Sequence, residues 1–267
     1  MVTTPTPMPA PTVDRSTGLR FGEAVALYDR FRPSYPRDVI EAVVADAGAG
    51  PVLEVGAGTG KATKALLALG HPVHAIEPDG RMAGALTLNC PSDAVTVVPT
   101  TFEQAGLTAG GYRLVVAAQS WEWVDPSVAY ERAAMALGPG GHLALVWHQP
   151  APGQGLFGEA IRHIYRRVEP HLARTILPGS ATVSFRPGRV AAATAAFPTW
   201  TRVEHEWSRD IDAAGLVGWL CSEVRYLVLD PERRTRLMVA VARLVDEFGG
   251  IVSVPMTTVA HIGRRPD

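Results

Sequence analysis

The residues best suited to chemistry fall in one short stretch and a few satellites. The stretch is PVLEVGAGTGKAT, beginning at Pro51, in which Glu54 precedes Gly56, Ala57, Gly58 and Gly60. Glycines at alternate positions let a turn reach backbone angles that a Cβ forbids. They also bring amide N–H groups and a helix N-terminus against a ligand. An apolar run further on ends in Glu77-Pro78-Asp79. An acid about 20 residues after such a turn, at the end of a second strand, is placed to accept the hydroxyl hydrogens of a ribose. Thr100, Thr101, Phe102 and Glu103 follow a third run, where polar groups can edge a purine and a ring can cover it. Gln119 leads into Trp121-Glu122-Trp123, and His148 ends a fifth apolar run. A carboxylate at Glu122 can accept a proton from a hydroxyl or amine, or hold a cation. It can equally pair with Arg30 or Arg32 and only shape a lid. The two tryptophans can stack on a flat molecule or serve as half-buried packing.

These residues need a frame, and the pattern around them supplies one. Val52, Leu53 and Val55 form a short strand before the glycines, and residues 61–69 read as a helix stopped by Gly70. Further strands are expected at 71–76, 94–99, 112–118 and 143–148, the fourth near-continuously apolar, as for a strand buried on both faces. Ser127 is placed to cap a helix running to Leu137, with the turn Gly138-Pro139-Gly140-Gly141 stopping it. Five β–α alternations predict a parallel, doubly wound sheet. Ahead of it, Phe21, Val25, Leu27, Tyr28 and Phe31 keep helical spacing until Pro33 and Pro36 interrupt, and a second helix starts at Arg37. Tyr28, Arg30, Arg32 and Tyr35 in this segment either lie over a ligand or pack on the sheet. Beyond His148 a Pro/Gly loop leads to a helix at 156–172, with a proline near its end. An irregular stretch at 175–198 contains an Ala-rich helix about 190–197. A strand at 201–207, helices at 213–220 and 232–248, and a last strand at 251–262 complete the reading.

Composition narrows the function classes. A chain of 267 residues, 47% hydrophobic and 19% charged, suits one large α/β domain with embellishments. A net charge of −1 without a basic run gives no electrostatic reason to expect nucleic acid. Cys90 and Cys221 are too few for a disulfide framework and read as free thiols of a reducing compartment. No apolar run reaches the roughly 18 residues of a membrane helix. The Thr/Pro-rich start lacks the basic and apolar regions of a signal peptide and reads as a disordered leader, residues 1–18. The expected location is the cytoplasm. No His/Cys/Asp cluster has metal-ligand spacing, and no D/N-P-P-Y/F follows the fourth strand, which disfavours amino-methylation of a flipped base.

A dinucleotide turn wants its third glycine where this chain has Lys61. As a set, VLEVGAGTG (52–60), AIEPD (75–79), YRLVVAAQSWEWVDP (112–126) and LGPGGHLALVWH (137–148) resemble the motifs of class I S-adenosylmethionine-dependent methyltransferases of the type 11, small-molecule group. FGEAVALYDRFRPSYP resembles the lid of one branch of that group. The resemblance implies a Rossmann-like α/β fold, with a mostly parallel seven-stranded sheet whose last strand is inserted antiparallel. It implies a domain over 19–267, with a helical lid at 19–45 and a helical cap inserted at 149–200. It also implies S-adenosyl-L-methionine as cofactor, S-adenosyl-L-homocysteine as product, and O- or N-methylation of a small molecule, with a place in secondary metabolism. In that frame Glu54, Gly56, Ala57 and Gly58 hold the methionine moiety and Glu77 grips the ribose. Pro78, Met82, Thr101 and Phe102 surround the adenine, Ala118 and Gln119 border the sulfonium, and Tyr28 and Tyr35 close over it. Glu122 and His148 are the catalytic candidates, with Trp121 and Trp123 against the acceptor. The sequence departs from the pattern at Thr101, where the family often has Asp, and at Glu122, where relatives of this branch carry histidine. Rival readings are a protein that binds the cofactor without transferring methyl, or uses it in other chemistry, and an NAD(P) dehydrogenase.

Overall fold

The structure, a computed structural model, describes residues 15–45, 47–48, 50–150, 155–176 and 190–267. Most of the expected leader and two stretches of the expected cap, 151–154 and 177–189, lie outside the described residues.

Four short strands come first: β1 (Val52–Val55), β2 (Val73–Ile76), β3 (Val95–Val98) and β4 (Tyr112–Ala118). Three long ones follow, β5 (Leu137–Pro150), β6 (Thr199–Asp212) and β7 (Ile251–Arg264). They form one seven-stranded sheet in the order β3-β2-β1-β4-β5-β7-β6. The first five strands are parallel, and β7 runs antiparallel between β5 and β6. The order reverses between β1 and β4, which opens a crevice at the carboxyl ends of those strands.

Side-chain alternation sorts the core into layers. Leu53 and Val55 of β1, with Val115, Ala117, Leu143 and Leu145, face α5 (Ala129–Ala136). Val52, Leu114, Val116 and Val146 face α2 (Arg37–Ala45), α3 (Lys61–Ala68) and α4 (Gly80–Asn89) on the other side. Val39, Ile40 and Val43 give α2 its buried stripe, and Leu66 and Leu86 do the same for α3 and α4. A third cluster joins α6 (Gly155–Val168), α9 (Ala213–Cys221) and α11 (Pro231–Glu247) to Val252, Val254 and Met256. These three helices cover the part of the β6–β7 ribbon that runs past the end of β5.

Several boundaries differ from the sequence expectation for identifiable reasons. The lid is not one helix: a 3-10 helix, Arg15–Ala24, precedes α1 (Val25–Phe31). Gly18 and Gly22 favour helix poorly, and Gly22 lies so close to Asp79 that a Cβ there would collide with the carboxylate. Ser127 does not cap α5; its hydroxyl bonds Asp125 instead, and the cap position falls to Val128 without a side-chain bond. β5 starts at Leu137, paired with Tyr112, and the glycine run is looped out before His142 pairs with Leu114. The expected helix at 156–172 divides into α6 and α7 (Pro170–Ile176), because Pro170 cannot donate within a helix and serves as the first residue of the next. The remaining helices are α8 (Ala191–Ala196), close to its expected place, and the short α10 (Val224–Leu227), which periodicity does not mark.

The lid is bolted to the far end of the chain. α1 packs on α9 where Gly218 admits the ring of Phe31, which a Cβ would overlap. Arg209 donates to the Phe31 carbonyl at 2.7 Å, and Arg32 donates to Ser222 Oγ at 2.9 Å. Gly218→Ala is therefore expected to cost about 1–3 kcal/mol by overpacking, measured by urea denaturation. A loss under about 0.5 kcal/mol, the level of an ordinary surface change, would show that the contact yields freely.

Candidate active site

The glycine turn is held open from below. Gly56 and Ala57 both donate to the Ile76 carbonyl, at 2.8 and 3.0 Å, which ties the end of β1 to the end of β2. Gly56, Gly58 and Gly60 have φ of 66°, 60° and 88°, the left-handed region that glycine alone enters without cost. A Cβ on Gly56 would sit 2.5 Å from that of Ser120, whose hydroxyl donates to the Val55 carbonyl. The turns after β1 and β4 thus meet backbone to side chain, with no space between them.

Glu77 is placed by two amides. Its Oε2 accepts from Gly58 N–H at 2.8 Å and its Oε1 from Asp79 N–H at 2.9 Å. Burial pushes its pKa up, and the two amide bonds oppose that. Asp79 in turn caps α4 by accepting from the Arg81 amide, and its carboxylate pairs with the Arg81 guanidinium at 2.6 Å. That guanidinium also donates to the Leu19 carbonyl at 3.1 Å, so the acid after Glu77 fastens the lid.

Above these residues lies a cavity of about 390 Å³ at the switch point, within the range of small-molecule sites. Gly56, Gly58, Glu77, Pro78, Met82, Thr101, Phe102 and Gln119 line it. Gly18, Leu19, Phe21 and Tyr28 roof it, and Trp123 closes one side, edge-on to Phe21 at 5.7 Å. Gln119 is the non-glycine residue with positive φ, 60°, among the described residues. Such strain concentrates at working sites, and here it turns the chain from β4 along the cavity wall.

Not every candidate reaches that wall. Ala57 and Ala118 stand behind it in the second core layer. Glu54 is fully buried on the α3 side, accepting from Thr63 Oγ1 at 2.6 Å. With no cation paired to it among the described residues, burial raises its pKa to about 8. Trp121 packs between Phe102 and Tyr130 in the core. Glu122 accepts from Trp147 Nε1 at 3.1 Å rather than meeting Arg30 or Arg32. Tyr35 stacks on His148, ring centroids 4.5 Å apart, one layer away from the cavity. Glu103, named with Thr101 and Phe102, lines the cavity, and sequence reasoning missed Gln104, Ser120, Val124 and Asp125, which line it too. Glu103 accepts from the Asp125 amide at 2.7 Å and joins the loops after β3 and β4. Their one signal was adjacency to Thr101-Phe102 and to Gln119.

Comparison with known proteins decides the family. The methyltransferase domain family matches residues 53–145. An uncharacterized methyltransferase of Mycobacterium tuberculosis is 32% identical over 231 residues, covering 86% of this chain and 87% of that protein. This chain belongs to the class I S-adenosylmethionine-dependent methyltransferases. Solved structures share the fold of the family. A candidate type II methyltransferase from Anaeromyxobacter dehalogenans matches at TM-score 0.58 and 21% identity, over 89% of this chain and all of that one. Phosphoethanolamine N-methyltransferase 2 of Haemonchus contortus, in complex with phosphomonomethylethanolamine and S-adenosylhomocysteine, matches at 0.51 and 14%, over 98% of this chain and 62% of that one.

The methyltransferase cofactor fits what the chain provides. A glycine turn free of side chains, a buried acid fixed by two amides and apolar groups line one cavity, a set that suits an amino acid, a ribose and a purine. Glu54 offers a direct check on the electrostatics beneath the turn. Its folded pKa lies above its unfolded one, so the native chain binds the extra proton between 4.5 and about 8, and stability falls as pH rises across that window. Glu54→Gln removes this dependence while keeping an acceptor for Thr63. The stability of the variant relative to the parent should climb from pH 5 to pH 8 by up to about 1.4 kcal/mol per unit. Parallel pH profiles from urea unfolding would show that Glu54 is ionised throughout.

Proposed function

We propose that this methyltransferase moves a methyl group from S-adenosylmethionine to oxygen or nitrogen of a small molecule inside the cell. The observation that carries the reading is Glu77, held by the Gly58 amide at the mouth of a glycine turn, in a cavity at the topological switch point. The small volume and the lid over it favour a small acceptor, and the Haemonchus neighbour, by its name, acts on one. Among the described residues no helix is long and apolar enough to cross a membrane, in keeping with a cytoplasmic site of action.

The bound cofactor supplies an electrophilic methyl on a sulfonium, and displacement at that carbon needs alignment more than acid–base work. Gly56 and Gly58 let the amino-acid end approach the backbone with no Cβ in its way, and Glu77 accepts from the ribose hydroxyls. Met82, Pro78 and Phe102 sandwich the base, with Thr101 at its edge. Gln119, strained into the left-handed region, carries the wall past the reacting centre. Tyr28, whose hydroxyl lies 3.7 Å from where a Gly58 Cβ would be, closes the roof with Phe21 and excludes water. Trp123 offers its face to the acceptor side. Glu122 keeps the Trp147 indole in place, and Glu54 and Tyr35 support the turn and the lid from behind.

A thermal-shift panel tests the reading. A ligand that binds only the native state raises stability by about 2.7 kcal/mol at 100 times its dissociation constant. S-adenosylhomocysteine should raise the melting temperature, and NAD(H) should leave it unchanged. Stabilisation by NAD(H) alone would defeat the methyltransferase reading. Glu77→Ala should weaken S-adenosylhomocysteine binding by about 10- to 100-fold, the range for a charged hydrogen-bond acceptor.

A further inference from the structure

The two halves of the lid are held in different ways. α1 is anchored from both sides. Phe31 fills the gap left by Gly218, and its carbonyl accepts from Arg209. Lys61 donates to the Asp29 carbonyl at 2.8 Å, and Asn89 to the Asp29 carboxylate at 2.9 Å. The 3-10 helix ahead of it, Arg15–Ala24, comes down on the loops of the cavity through glycines. A Cβ on Gly18 would sit 3.0 Å from the Trp123 indole, and one on Gly22 would overlap the Asp79 carboxylate. Glycine disfavours helix, and 3-10 turns have poor hydrogen-bond geometry. The segment therefore takes its shape from the surface beneath it, the condition for opening locally while the rest stays folded.

A guanidinium closes the seam between this segment and α4. Arg81 donates to both carboxylate oxygens of Asp79, at 3.0 Å from Nε and 2.6 Å from Nη2. The same Nη2 donates to the Leu19 carbonyl at 3.1 Å, across the seam. On the lid side, the Arg20 hydrogen bond and then the charge of Arg81 hold the Glu23 carboxyl below its ordinary range. Asp79 meanwhile gives its amide to Glu77 Oε1, so one residue joins the latch to the acid of the cavity. Gly18, Leu19 and Phe21 line the cavity from the 3-10 helix, and Tyr28 lines it from α1, whereas Gly22 and Arg81 lie outside its wall. Between the two halves Ala24 has φ −129° and ψ 32°, away from both helical forms, and no side chain caps α1 there. An element end of this kind can absorb a large dihedral change.

We propose that residues 17–24 form a flap that turns about Ala24 on a fixed α1, and that Arg81 is the positioning residue that holds it shut over the cofactor. The proposal rests on the methyltransferase reading and adds to it the control of product release. A ligand that fills the cavity meets Gly18, Leu19 and Phe21 and so favours the closed flap. By linkage the closed flap retains the ligand to the same degree. Lifting the flap breaks the Leu19 bond and takes Gly22 off Asp79, while Glu77 and the glycine turn keep their places. Loss of the demethylated product then waits on the latch.

The test uses the full chain and S-adenosylhomocysteine, with association and dissociation followed by stopped flow. Arg81→Met, at an exposed side chain, should speed dissociation by about 2- to 10-fold, the worth of one hydrogen bond. Gly22→Ala, which sets a methyl against Asp79, should speed it by about 10-fold or more. Association should be as fast as in the parent or faster. The double variant should release ligand no faster than Gly22→Ala, because a lifted flap has no latch to lose. Hydrogen exchange locates the motion: the ligand should protect amides 17–24 more than 25–31, and Arg81→Met should raise exchange in the first group alone. General destabilisation would lower the melting temperature without this split. Dissociation from Arg81→Met at the parent rate, slower association, or exchange that rises equally on both sides of Ala24 overturns the proposal. If Gly22→Ala does not fold, Arg81→Met decides alone. Failure of the parent to bind S-adenosylhomocysteine instead defeats the methyltransferase reading beneath it.

Discussion

The contact on which the site depends is the one between Gly56 and Ser120. Two β–α turns from strands that are neighbours in space but 65 residues apart in sequence meet with no room for a Cβ between them. The Ser120 hydroxyl bonds the Val55 carbonyl and locks the meeting in place. From there the geometry propagates. The Gly56 and Ala57 amides reach the end of β2, Gly58 reaches Glu77, and Asp79 reaches the lid through Arg81 and Leu19. Each link uses a backbone group on at least one side, so the arrangement is set largely by the path of the chain.

Burial then gives these groups their electrical character. Glu54 and Glu77 are acids held where charge is unwelcome, and His148 is a base kept neutral for the same reason. The cation nearest the glycine turn, Lys61, is partly buried and donates to the Asp29 carbonyl under the lid. The cavity wall takes its polarity from the backbone of the glycine turn, from hydroxyls and from the Glu77 carboxyl. In a medium of low dielectric such fixed dipoles act strongly.

How much of this was readable before folding depended on whether a feature is local. The first five strands announce themselves by apolar runs between glycine and proline signals, and the glycine turn and Glu77 follow from spacing within one βαβ unit. β6 was read at about half its length. Its solvent-facing side carries Arg202, Glu204, Glu206, Ser208 and Asp210, and the strand earns its character by pairing along the whole of β7. The early start of β5 was hidden because Gly138 to Gly141 look like an end and are a bulge. At the site, the bond between Glu103 and Asp125 was out of reach because it joins two loops. The environment of His148 was equally out of reach, since its partner Thr258 lies 110 residues further on.

Gln119 has a bearing on how the chain tolerates change over generations. At φ 60° it occupies a conformation open to glycine, asparagine, aspartate and a few others, and closed to valine, isoleucine and threonine. Its neighbour Ser120 is confined by Gly56 to a small side chain with a hydroxyl. Drift at these two positions is therefore channelled toward short polar residues. This part of the cavity wall can be retuned in hydrogen bonding but not in bulk, and larger changes of cavity shape would have to come from the residues around it.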